Sequence, residues 1–228
     1  AQRDLLALPG VGMSILELGH RTKTFAQILE QADANLRSLL GLPSNYHVLF
    51  LQGGAQMQFV MAPMNLLRGP DDVADYIVTG SWGKKAMSEA KTQGKTRIAF
   101  DAADCNYNRI PKQEELDLNP NAAYVHITSN ETIGGVQFAT EPDTGSVPIV
   151  CDSSSDFLCR PVDINRYGVL YACAQKNAGP AGVTVVIIRD DLCQRSPQGL
   201  ASMLSYKVHA DAKSLYNTAP TFGIYMVG

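Results

Sequence analysis

Seven short apolar runs, at residues 47–51, 76–78, 97–100, 123–128, 148–151, 169–174 and 183–189, constrain this chain most. The last five are β-branched and apolar on both faces, as strands of a sheet covered on both sides should be. Between the earlier runs lie segments with helical spacing. In 25–40 the apolar residues are Phe25, Ile28, Leu29, Ala32, Leu36, Leu39 and Leu40, one face of a helix, which Gly41 and Pro43 then stop. Segments 56–67 and 81–93 also read as helices. Strands alternating with helices predict an α/β fold with a mostly parallel central sheet and flanking helices. The last two runs are separated only by 175–182, too short for a helical crossover, so one strand is expected to be antiparallel.

The chain has 228 residues, the size of one large domain. Apolar residues make up 45% and charged residues 18%, an ordinary soluble composition. With 19 basic and 22 acidic residues the net charge is −3, which gives no electrostatic argument for nucleic acid or an anionic membrane. No apolar run approaches the roughly 20 residues that span a bilayer, and the N-terminus has no basic-then-apolar leader. The five cysteines, Cys105, Cys151, Cys159, Cys173 and Cys193, show no CxxC spacing. They read as reduced residues of a cytoplasmic protein, with neither a disulfide framework nor a metal site. The first residue is not Met, the start reads as the tail of a helix and the last residues as an apolar helix, so a fragment of a longer protein is expected.

Ligands of open α/β sheets sit outside the carboxyl ends of the strands. The residues just past each run are therefore informative: Gln52-Gly-Gly-Ala-Gln56, Thr79-Gly-Ser-Trp82, Ser129-Asn-Glu-Thr132, Asp152, and Gln175-Lys176. Taken singly, each has an ordinary structural explanation: a strand–helix turn, a core aromatic, a cap. Lys176 is harder to explain so. It lies between two apolar strands, where partial desolvation is expected, and desolvation favours the neutral, nucleophilic amine. Together the set suits pyridoxal phosphate. Its aldehyde needs a lysine and its pyridine nitrogen a carboxylate. Its phosphate suits a glycine turn at a helix N-terminus, and its ring a flat face such as Trp82.

The stretch Ala174-Gln-Lys-Asn-Ala-Gly-Pro-Ala-Gly-Val183 closely resembles the lysine motif of the phosphoserine aminotransferase family, fold-type I pyridoxal-phosphate enzymes of class V. So do Gly19-His-Arg-Thr-Lys-Thr-Phe25, Pro43-Ser-Asn-Tyr46, Gln52-Gly-Gly-Ala55, Asn130-Glu-Thr-Ile-Gly134 and Asn217-Thr-Ala-Pro-Thr-Phe222. They occur in the family's order and cover nearly the whole chain. The resemblance implies transfer of an amino group from L-glutamate to 3-phosphohydroxypyruvate, giving O-phospho-L-serine and 2-oxoglutarate, in serine and in some bacteria pyridoxine biosynthesis. It implies Lys176 as the Schiff-base lysine and Asp152 as the partner of the pyridine nitrogen. Trp82 is implied to stack on the ring, Thr132 to bond its phenolic oxygen, and Ala55, Gln56 and Gln175 to lie at the phosphate. Asn217 and Thr218 are implied to reach the neighbouring subunit's cofactor in a homodimer, and His20 and Arg21 to bind substrate.

Two departures stand out. Many members have a third glycine followed by arginine where this chain has Ala55 and Gln56, which leaves the substrate phosphate to Arg21 and other groups. The family's N-terminal segment and small C-terminal domain are absent, so residues 1–228 are expected to be the large, cofactor-binding domain. Competing nucleotide-binding motifs fail: Gly94-Lys95-Thr96 has Glu89 where a P-loop needs its first glycine. A related class V aminotransferase with a different oxo acid, and a non-catalytic dimerisation or binding domain, remain as alternatives.

Overall fold

The computed structural model describes residues 1–228. In chain order the elements are α1 (Gln2–Leu6), α2 (Lys23–Leu40), β1 (Tyr46–Leu51), α3 (Gly54–Leu66), β2 (Val73–Val78), α4 (Ser81–Ala90), β3 (Lys95–Asp101) and β4 (Tyr124–Thr128). A two-residue pair, β5 (Asn130–Glu131) and β6 (Val136–Gln137), precedes β7 (Ile149–Asp152), β8 (Tyr167–Cys173) and β9 (Thr184–Arg189). Three short helices come last: α5 (Asp190–Cys193), α6 (Tyr206–Asp211) and α7 (Thr221–Val227).

Seven strands form one sheet in the order β1-β9-β8-β7-β4-β2-β3. Only β9 runs against its neighbours, pairing antiparallel with both β1 and β8. The other contacts, β8 with β7, β7 with β4, β4 with β2 and β2 with β3, are parallel. The expected α/β fold with one antiparallel strand is the observed one.

The strands are apolar on both faces because both faces are covered. Val125, Ile127, Ile149 and Ile187 pack toward α2 and α7, where Phe25, Leu29, Leu36 and Ile224 meet them. Tyr124, Val150, Val169 and Val186 pack toward α3 and α4, against Phe59, Ala62, Leu66 and Ala86. Each fully buried side chain of Leu or Phe size contributes about 2 kcal/mol, and the helical spacing of α2 presents five residues to that layer. Thr22 caps α2 through Phe25 N, and Gly41 ends it in the left-handed region at φ 60°, where only glycine sits without strain. The N-terminal residues and 221–227 are helical as expected, and all five cysteines are free. No helix is long and apolar enough to cross a membrane.

Within the seven-stranded sheet, all strands but β9 point their carboxyl ends to the same rim. The turns after β1, β2, β4, β7 and β8 therefore converge there.

Candidate active site

The rim opens into a cavity of about 270 Å³ lined by Gly53, Gly54, Ala55, Gln56, Trp82, Asp152, Ser154, Cys173, Gln175 and Lys176. A larger cavity of about 570 Å³, bordered by α2, β1 and residues 210–215, holds none of the residues that the sequence singles out. The chemistry converges on the smaller one.

Its floor is the turn from β1 into α3. Gly53 and Gly54 have φ of 92° and 66°, and a Cβ on Gly53 would stand 2.6 Å from Met57 Cβ. Glycine is required there by both backbone and space. Gly54 N–H donates to Thr184 Oγ1 at 2.9 Å, which ties the turn to β9. The next two N–H groups, of Ala55 and Gln56, have no partner in the chain, and α3 has no side-chain cap. They form a donor pair at the positive end of a 13-residue helix.

Asp152 ends β7 and is 4% exposed. Its Oδ1 accepts both Ser154 N–H at 3.0 Å and Ser154 Oγ–H at 2.6 Å. Burial pushes its carboxyl up to about 6, partly offset by the Ser154 bonds and the charge of Lys176. Such a carboxylate gains most from a cation placed beside it.

Lys176 lies on the turn between β8 and β9. That turn is closed by Ala174 N to Val183 O at 3.1 Å, and by Ala178 N and Gly179 N to Ala174 O at 3.0 and 2.8 Å. The amine donates to Thr132 Oγ1 at 2.7 Å and Ser155 Oγ at 3.1 Å, and stands 5.3 Å from the Trp82 ring centroid. The expectation of a desolvated lysine is not met. Lys176 is exposed, because the turn carries it past the ends of both strands to the open rim.

Trp82 sits in the first turn of α4. Glu131 accepts Trp82 N–H at 3.0 Å and Gly83 N–H at 2.8 Å, while the indole Nε1 is buried with no partner. Gln175 lines the cavity and donates to Cys173 Sγ at 3.1 Å.

The structure thus brings together Ala55, Gln56, Trp82, Asp152, Gln175 and Lys176, with Thr132 joined through the amine. It does not bring in four others. His20 and Arg21 lie on the segment before α2, with Arg21 Nε–H donating to His20 Nε2 at 3.2 Å. Asn217 donates to Gln52 Oε1 at 2.9 Å, and Gln52 donates weakly to Thr218 O at 3.4 Å. Neither Asn217 nor Thr218 caps α7, whose cap residue is Pro220. Sequence reasoning missed Ser154, Ser155, Glu131 and Thr184. The run Ser153-Ser-Ser155 directly after Asp152 was a usable signal for the first two, since hydroxyls beside a carboxylate at a strand end orient it. Nothing in the sequence marks Thr184.

A mostly parallel sheet that gathers a lysine, a carboxylate and a helix N-terminus at one rim has the groups to hold an anionic, carbonyl-bearing cofactor. The chain belongs to the class V aminotransferase family, whose model matches residues 9–228. Within that class it is similar to phosphoserine aminotransferases. That of Laribacter hongkongensis (strain HLHK9) is 56% identical over all of this chain and 63% of its own length. The solved phosphoserine aminotransferase from Bacillus circulans subsp. alkalophilus superposes with a TM-score of 0.96 at 52% identity, over 100% of this chain and 63% of that one. The pyridoxal-phosphate-bound phosphoserine aminotransferase from Trichomonas vaginalis gives 0.91 at 35% identity, over 99% and 63%. The chain spans less than two thirds of the length of these relatives.

Proposed function

We propose that residues 1–228 are the large, cofactor-binding domain of a pyridoxal-phosphate-dependent phosphoserine transaminase. The whole protein moves the amino group of L-glutamate to 3-phosphohydroxypyruvate and releases O-phospho-L-serine and 2-oxoglutarate, in the cytoplasm and as a homodimer. One observation carries this reading: Lys176, Asp152, Trp82 and the partner-free N–H groups of Ala55 and Gln56 meet around one cavity of about 270 Å³. That size suits one ring and its substituents better than a dinucleotide. The 56% identity to a phosphoserine aminotransferase supports the substrate.

The residues present fit pyridoxal phosphate. Bound there, it supplies an aldehyde and an electron-accepting ring, which let an amino group be exchanged for a carbonyl oxygen. Asp152 would hold a proton on the pyridine nitrogen, because a buried carboxylate with a raised pKa is strongly stabilised by an adjacent cation. Trp82 provides a flat face. The free N–H groups of Ala55 and Gln56 would hold the phosphate, and Gln175 would add an amide from the cavity wall. Lys176 would be the attachment point for the aldehyde, and its amine, when free, would move the proton at the substrate α-carbon. Thr132 and Ser155 hold its amine at hydrogen-bond distance.

Gln56 brings no charge to the cavity, so the substrate phosphate falls to Arg21, with His20 beside it. Arg21 forms no ion pair within the chain and is exposed. Its Nε–H is taken by His20, but its two terminal amino groups have no partner in the chain and match an oxyanion. Asn217 and Thr218 lie outside the Lys176 cavity of their own chain, which fits a role at a partner's cofactor. Steady-state kinetics of the full-length protein with L-glutamate decide the substrate. 3-Phosphohydroxypyruvate is expected to give a kcat/KM at least about a hundredfold above unphosphorylated pyruvate or glyoxylate, since one missing phosphate leaves charged donors unpaired. Equal or inverted values reject the assignment in favour of another class V aminotransferase.

A further inference from the structure

Glu131 has no part in the chemistry above, yet its side chain is one of the most enclosed carboxylates in the molecule, 1% exposed. It forms no ion pair. Its partners are the two N–H groups at the start of α4: Gly83 N–H to Oε1 at 2.8 Å and Trp82 N–H to Oε2 at 3.0 Å. Helix α4 has no side-chain cap of its own, because its cap residue is Gly80. A carboxylate from a distant strand supplies both the acceptors and the negative charge that a helix N-terminus favours. The socket is shaped for it. A Cβ on Gly80 would stand 2.5 Å from Glu131 Cδ, and one on Gly83 3.4 Å from Oε1. A side chain at residue 80 would expel the carboxylate.

The clamp joins two elements of the site. Trp82 is the residue whose N–H it holds. Thr132, next to Glu131 in the chain, accepts from the Lys176 amine at 2.7 Å. The indole has no hydrogen-bonded tether, since Nε1 is buried without a partner; its only polar neighbours over the ring are the flexible amines of Lys85 at 4.6 Å and Lys176 at 5.3 Å. The ring plane is therefore set by its backbone and by packing. We propose that Glu131 is a positioning residue: its carboxylate locks the first turn of α4 onto β5, and so fixes the Trp82 ring relative to Thr132 and Lys176 before pyridoxal phosphate arrives. The clamp also commits the Trp82 and Gly83 N–H groups of α4 to a carboxylate, whereas the Ala55 and Gln56 N–H groups of α3 stay free for an anion.

This inference rests on the cavity being the pyridoxal-phosphate site, and its test separates the two. Trp82 is the only tryptophan of residues 1–228, so the difference in indole fluorescence and near-UV circular dichroism between variant and wild type, read in the cofactor-free protein, reports on it. Glu131→Gln keeps size and one acceptor but sets an NH₂ group against a helix N–H. The expected result is a changed indole band, an acrylamide quenching constant at least about twice that of the wild type, and a Kd for pyridoxal phosphate raised about tenfold, with far-UV circular dichroism unchanged. Gly80→Ala, which leaves Glu131 in place but drives a methyl into it, should give the same signature, and decides the matter if Glu131→Gln does not fold. Wild-type indole signals in both variants overturn the proposal, and so does weakened cofactor binding with Trp82 unmoved. A wild-type chain that binds no pyridoxal phosphate refutes the site, while the indole signals still read the clamp.

Discussion

In the cofactor-free chain, Asp152→Asn should raise stability at neutral pH while removing the carboxylate proposed to face the pyridine nitrogen. Burial holds the Asp152 carboxyl at about 6, against an ordinary 3.8, with Ser154 and Lys176 offsetting only part of the cost. A group whose folded pKa is raised contributes stability that is complete below its unfolded pKa and lost as pH rises through the folded one. The window therefore runs from about pH 4 to about pH 6. At about 1.4 kcal/mol per pH unit, the rise from 3.8 to about 6 sets a ceiling of ~3 kcal/mol on the loss. Asparagine keeps the oxygen that accepts the two Ser154 bonds and has no charge to desolvate. The two proteins should be nearly equal near pH 4. Near pH 7.5 the variant should lead by up to ~3 kcal/mol, or about 6–12 °C in Tm for a chain of this size. Thermal and urea unfolding at both pH values, monitored by circular dichroism, measure this, and the other titrating groups cancel in the difference. A gap that does not change between the two pH values would mean that burial does not raise the Asp152 carboxyl.

Ser154→Ala removes a bond that favours the ionised carboxylate, so the pH at which stability is lost should move upward from about 6, by up to about one unit. Unfolding profiles identical to the wild type would deny Ser154 that role. Arg21→Lys loses the paired geometry of the guanidinium, so KM for 3-phosphohydroxypyruvate should rise about tenfold with Kd for pyridoxal phosphate unchanged. Unaltered KM removes Arg21 from the substrate site. Mixing inactive Lys176→Ala with an inactive double alanine variant at Asn217 and Thr218 should restore activity in the full-length protein, because a heterodimer owns one intact site. No recovery after proven subunit exchange places Asn217 and Thr218 outside the partner's site.

The legible parts of the fold were those whose physics is local. Strands β4, β7, β8 and β9 are buried on both faces, so their residues are predominantly apolar and their runs match closely. The short link 175–182 fixed the direction of β9. Strand β2 reads as 76–78 but begins at Val73, because Asp75 interrupts the apolar pattern. That carboxylate is fully buried and accepts from Asn119 N–H at 2.6 Å and Arg97 Nη1 at 3.5 Å, partners too distant in sequence to foresee. The edge strand β3 extends to Lys95 and Asp101, since polar residues suit a strand open to water on one side. The placement of Asp152 and Lys176 at the rim was legible because each closely follows an apolar run. The exposure of Lys176 was not, because it depends on how far a hydrogen-bonded turn lifts a side chain past the sheet. Glu131 was legible only as the middle of Asn130-Glu-Thr132. Its contact is with a helix start some 50 residues earlier, and no local pattern marks it.

Everything at the rim depends on the Lys176 amine being where pyridoxal phosphate attaches. Incubating the full-length protein with pyridoxal phosphate, reducing with sodium borohydride and mapping the peptides by mass spectrometry reads that attachment directly. One pyridoxyl group per chain is expected, on Lys176, and none in Lys176→Ala. Stoichiometric label on another lysine, such as Lys84 or Lys85 beside Trp82, or no label at saturating cofactor, would show that the attachment is not there.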